Sequence, residues 1–158
     1  MSAARFGLFV ALAVCFPMLS SAQESCPWLT TSTAAGILGG DVATAVIHSK
    51  ANADEATCTF IRSENAVMRE LSIQVRGVAD LGKALSRCRS KTPLRGIGNK
   101  AFACEAKRKG KSFGEEIVGR VRDRAFIIKA TASDTSIAPE GLREAARRAA
   151  EQVSGNLF

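Results

Sequence analysis

The sequence predicts an α+β domain: an antiparallel sheet of about six strands, helices packed on one face, and two disulfides. Three observations lead there. Short β-branched segments follow one another across turns too brief for crossovers, so neighbouring strands pair as antiparallel hairpins. Segments of helical apolar period divide them into the order helix, three strands, helix, three strands, helix. Four cysteines, Cys26, Cys58, Cys88 and Cys104, remain after a leader that directs the chain to an oxidising compartment.

The leader comes first in the chain. Arg5 gives a basic start, Phe6 to Phe16 is a nearly unbroken apolar run, and Ser20-Ser21-Ala22 places small residues where a signal peptidase needs them. Cleavage after Ala22 removes Cys15 and leaves an even set of cysteines. A spanning helix needs about twenty apolar residues, so this run is too short to stay in a bilayer, and the mature form has no transmembrane segment. Leu12-Ala13-Val14-Cys15 has the outline of a lipid attachment site, but Val14 is bulky there and the apolar run continues through Phe16, Met18 and Leu19. Residues 1–22 are therefore read as a signal peptide and residues 23–158 as one α+β domain, of common size and long enough to bury a core.

Thr30, Thr31 and Ser32 can each cap a short helix carrying Ala34, Ala35, Ile37 and Leu38, and Gly39-Gly40 stops it. Val42 to His48 reads as a strand, Ala51 to Glu55 as a polar turn, Thr57 to Arg62 as a second strand and Ser63 to Ala66 as the next turn. Alternation is clearest from Glu70 to Arg76, with Leu71, Ile73 and Val75 on one side. Asp80 can cap a helix whose Leu81, Ala84, Leu85 and Cys88 share a stripe, so a partner for Cys88 belongs beneath it. Ser90 to Asn99 reads as a loop, Lys100 to Ala106 as a strand with Phe102 and Cys104 on one side, and Lys107 to Lys111 as a basic turn. Ile117 to Val121 and Ala125 to Ala130 flank a three-residue connection, Arg122-Asp123-Arg124. The last helix starts at Pro139, with Leu142, Ala145, Ala146, Ala149, Val153 and Leu157 inward, and frays or stops near Gly155. Sequential pairing, Cys26 with Cys58 and Cys88 with Cys104, is preferred among three connectivities because it ties each helical segment to the strand it packs on.

Charge is uneven. Residues 23–80 hold four Lys/Arg against seven Asp/Glu, net −3, and residues 81–158 hold seventeen against eight, net +9. The densest stretches are Arg87, Arg89, Lys91 and Arg95, then Lys107, Arg108, Lys109 and Lys111, with Arg120, Arg122 and Arg124 along a hairpin. A solvated basic face accounts for such a bias, and so does attraction to an anionic envelope polymer or lipid headgroups. Export, the lack of Tyr and the lack of aromatics among these cations argue against nucleic acid.

No catalytic or metal signature stands out. His48 is the lone histidine, and Ser49 beside it in a strand points to the other face. The closest of the four cysteines left after the leader, Cys88 and Cys104, lie sixteen positions apart with no C-x-x-C, which disfavours zinc and thioredoxin-type redox chemistry. Gly96-Ile97-Gly98-Asn99-Lys100 lacks the Ser or Thr and the helix of a phosphate loop, so its glycines read as turn residues. Glu115 and Glu116 diverge as strand neighbours, unlike a glycosidase pair. Trp28, beside Cys26, packs on the first disulfide or offers a ligand platform. No cofactor is expected.

A cysteine leading into Leu-Thr and a short helix ending in Leu-Gly (Cys26, Leu29-Thr30, Leu38-Gly39), a cysteine before an aromatic strand residue (Cys58, Phe60), and Leu-x-Gly-Ile-Gly-x-x-Ala-Phe (Leu94 to Phe102) form a recurring pattern. It resembles small extracytoplasmic actinobacterial domains, among them uncharacterised lipoproteins and the extracellular sensor domains of some serine/threonine kinases. The resemblance implies a secreted α+β domain with two disulfides and a cleft for a ligand. The chain departs from those groups in lacking a convincing lipid box, a kinase domain and a membrane span. The expectation is an exported, non-enzymatic binding or interaction module of the bacterial envelope, partnered by an anionic polymer, a lipid headgroup or another exported protein. A secreted hydrolase built around His48 or the carboxylates, or an inhibitor presenting Lys107 to Lys111, is the alternative.

Overall fold

The computed structural model describes residues 25–48, 55–105, 113–134 and 137–158. The leader with Cys15, the turn residues 51–54, Ser49, and Lys107, Arg108, Lys109 and Lys111 lie outside them, as does the side chain of His48.

Helix α1 spans Thr31–Leu38. Of the three candidate hydroxyls, Thr30 is the cap, while Thr31 and Ser32 open the helix: Thr30 Oγ1 accepts the Thr33 amide at 3.1 Å. Gly39 ends the helix at φ 82°, a left-handed conformation glycine adopts without steric cost, and its N–H returns to Ala35 O. Strands β1 (Ala43–His48), β2 (Ala56–Glu64) and β3 (Val67–Gly77) follow, then a 3-10 turn over Val78–Asp80 and helix α2 (Leu81–Leu85). Strands β4 (Lys91–Leu94), β5 (Lys100–Glu105), β6 (Phe113–Val121) and β7 (Arg124–Ala132) precede helix α3 (Pro139–Asn156). Among the described residues the sheet has seven strands in the order β1-β2-β3-β7-β6-β5-β4, every neighbouring pair antiparallel.

β3 and β7 join the two halves, with Leu71 opposite Ala130, Ile73 opposite Ile128 and Val75 opposite Phe126. These apolar residues face α1 and α3 and are buried with Phe60, Ile117, Leu38 and Val153. The alanines of α3, Ala146, Ala149 and Ala150, are fully buried and allow its backbone close to the sheet. The helix ends beside the chain entry, where Asn156 Nδ2 donates to Trp28 O at 2.8 Å. Both disulfides form as the sequential pairing predicts, Cys26–Cys58 with Cα atoms 5.8 Å apart and Cys88–Cys104 at 5.1 Å.

Several expectations need correction. Lys91–Leu94, read as loop, is a seventh strand: Pro93 is tolerated because β4 is at the edge, where its missing N–H breaks no ladder. α2 does not share a face with the other helices. Leu81, Ala84, Leu85 and Cys88 pack with Cys104, Val118 and Ile127 on the outer face, while α1 and α3 cover the inner one. α2 also stops at Leu85, before Cys88, and Asp80 makes no side-chain cap. The β6–β7 connection has two residues, Arg122 and Asp123, because Arg122 adopts φ 52° and lets Arg124 join the ladder opposite Val121. α3 continues one residue past Gly155.

Candidate functional site

Charge converges at two places, one on each face of the sheet. On the outer face, Lys100 of β5 is directly opposite Arg120 of β6; Arg120 is opposite Ala125 of β7, and Ala125 opposite Arg76 of β3. A row of three exposed cations thus crosses four adjacent strands. Like charges placed opposite in a sheet repel. Among the described residues none of the three has an ion-pair partner, although Lys129 on the same face is paired with Glu116 at 3.3 Å. Lys100 Nζ instead lies over the Phe102 ring, 5.3 Å from its centre.

The loop before β5 fixes this row. Gly98 has φ 57°, and a Cβ there would lie 2.6 Å from Arg120 O, so only glycine permits the close approach. Asn99 N donates to Arg120 O at 2.9 Å and Asn99 Oδ1 accepts the Arg122 amide at 2.6 Å. The glycine-rich stretch therefore docks a loop onto the end of β6, the turn role read from sequence.

Arg87, Arg89, Lys91 and Arg95 are exposed and extend the basic region along the sheet edge. Arg87 and Arg89 flank Cys88, which is bonded to Cys104, the register partner of Lys91. Arg95 follows β4 at the end where Lys100 begins β5, roughly 13 Å along the chain direction from Lys91 at ordinary strand rise. Sequence reasoning missed Arg76 and Lys100, because strand order β3-β7-β6-β5 and not chain proximity aligns them.

On the inner face, a cleft of about 440 Å³ opens between the end of α1, the β2–β3 hairpin and the start of α3. Arg62 and Arg69 are cross-strand partners in its wall. Arg62 Nη1 donates to Leu38 O at 2.8 Å and Nη2 contacts Glu64 Oε2 at 2.5 Å, so its charge serves the carbonyl end of α1 and one carboxylate. Arg69 Nη1 reaches the same carbonyl only at 3.4 Å and has no ion pair among the described residues. Asn65 of the hairpin turn and the mostly aliphatic residues Ile37, Val67, Ile137, Gly141, Leu142 and Ala145 are among those lining the remainder.

A shallower hollow of about 300 Å³ lies at the opposite end of the sheet, beside Trp28, Arg122, Arg124 and Asn156. Trp28 itself is 8% exposed and belongs to the same core cluster as Cys26 and Cys58. Glu115 and Glu116 turn to opposite faces, toward Arg143 at 3.7 Å and Lys129 respectively. Among the described residues no helix is long and apolar enough to cross a membrane, and no three His, Cys, Asp or Glu side chains converge as for a metal ion. No family model, curated protein or solved structure gives a significant match to the chain.

Proposed function

We propose that this chain is an exported, non-enzymatic binding module of the bacterial envelope, which holds an anionic envelope polymer on its basic outer face. The observation that carries the reading is the row of Lys100, Arg120 and Arg76, three exposed cations left without carboxylate partners among the described residues although two of them are directly opposed. A fold selected for stability alone would separate or pair them. Export is supported by the leader composition and by two disulfides, which persist in oxidising compartments. Arg87, Arg89, Lys91 and Arg95 widen the positive field along the β4 edge, suiting an extended polyanion better than a point ligand.

Co-sedimentation with cell-wall sacculi at low and high salt tests this. The chain pellets with sacculi at low salt and is released as salt screens the contact. The double variant Lys100→Glu with Arg120→Glu stays in the supernatant while its thermal unfolding is unchanged, both positions being exposed. Retention that ignores salt or survives the double reversal rejects the reading, and preference for phosphatidylglycerol vesicles over sacculi transfers the site to lipid headgroups.

A further inference from the structure

We infer that the cleft between α1, the β2–β3 hairpin and α3 binds an amphiphilic monocarboxylate, an acyl chain of medium length ending in a carboxylate. This site is on the inner side of the sheet and does not depend on the polymer-binding reading of the outer face.

Arg62 and Arg69 sit opposite each other on β2 and β3, on the side of the sheet that otherwise carries Phe60 and Leu71 into the core. Two guanidinium groups at adjoining half-buried positions repel, and Glu64 is the one carboxylate lining the cleft among the described residues. The local balance is one net positive charge. Glu64 is 58% exposed and bonded to Arg62, whose side chain is 15% exposed, so these two satisfy each other at the rim. Arg69 is left over. A guanidinium has five N–H donors, and the single contact of Arg69, at 3.4 Å to Leu38 O, is too long to fill even one well. A carboxylate can accept two parallel bonds from such a fork.

The rest of the cleft selects what is attached to that carboxylate. Apart from Asn65 in the hairpin turn, the remaining side chains are aliphatic: Ile37, Val67, Ile137, Leu142 and Ala145 offer a sugar or a peptide no hydrogen-bonding side chain. At roughly 30 Å³ for a water-sized group, the volume admits on the order of a dozen heavy atoms, which limits the tail to about eight to ten carbons. A phosphate monoester matches less well, since it brings about −1.5 to −2 charges to a site with one positive charge to spare.

Isothermal titration of the full, disulfide-bonded chain with sodium octanoate tests the assignment. Octanoate binds saturably, while octanol, octylammonium and acetate each bind about tenfold more weakly or worse, having lost the head group, reversed its charge or lost the tail. Arg69→Gln weakens octanoate by about tenfold or more. Gly141→Leu fills the cleft from α3, where an added Cβ meets no atom within 4 Å and leucine favours the helix, and it abolishes binding in a folded protein. Lys100→Glu with Arg120→Glu leaves octanoate affinity unchanged, which separates this site from the outer face. Absence of saturable octanoate binding, octanol binding as tightly as octanoate, octyl phosphate binding more tightly, or wild-type affinity in Gly141→Leu overturns the inference.

Discussion

Gly40 and Arg62 are a matched pair that neither local sequence reveals. A Cβ on residue 40 would stand 2.7 Å from Arg62 Nε, so the second glycine of the Gly39-Gly40 stop exists to admit a guanidinium from β2. Gly40→Ala therefore displaces Arg62 from Leu38 O and lowers stability by about 1–2 kcal/mol, measured by urea unfolding, the magnitude of a lost charged hydrogen bond. Gly119 is tighter: its added Cβ would lie 2.3 Å from the buried Phe126 ring and 2.9 Å from Lys100 O, and Gly119→Ala costs about 1–3 kcal/mol through overpacking. The β2–β3 turn shows the opposite case. Asn65 and Ala66 both have positive φ, 50° and 64°, a pair that Asn-Gly occupies with less strain, so Ala66→Gly raises the unfolding midpoint, by roughly 1 kcal/mol of stability. Gly39 was legible as a helix stop from its place after an apolar stripe; Gly40 and Gly119 were not, since each answers to a side chain or strand brought close only by the fold.

Among the elements, α3 was the most readable and α2 the least. Eighteen residues of strong amphipathic period, with Pro139 at the start, specify α3 almost alone, and its Arg147–Glu151 and Arg148–Glu144 pairs form as spaced, at 3.0 and 2.7 Å. α2 has the right stripe, but a period reveals which side of a helix is buried, not which side of a sheet buries it. Five residues are too few to hold a helix without tertiary help, and the Cys88–Cys104 bond supplies part of it. Replacing both cysteines by serine removes about 3 kcal/mol for a loop of this length. Hydrogen exchange locates the effect: amides of α2 and β4 lose protection while those of α3 keep theirs. β4 escaped notice because Pro93 and two glycines mark its surroundings as a loop; only its edge position lets a proline-bearing segment pair.

For the whole molecule, the α+β class and the disulfide pairing were legible, the first from strand spacing and turn length, the second from which helix lies over which strand. The joining of the halves through β3 and β7 was not, because nothing in a strand's own residues names a partner 47 to 63 positions away. That long-range closure makes the crosslinks matter. With the 32-residue separation of Cys26 and Cys58 contributing nearly 4 kcal/mol and the second bond about 3, their sum is comparable to the roughly 5–15 kcal/mol that a domain of this size retains. Full reduction should therefore lower the melting temperature steeply or unfold the chain at ambient temperature, as circular dichroism with and without a thiol reductant reports. One further property follows from the bond between Asn156 and Trp28. Since α3 finishes beside Trp28 at one end of the sheet, whereas Arg62 and Arg69 sit at the opposite one, a linker or bead joined after α3 leaves the inner-face cleft pointing outward.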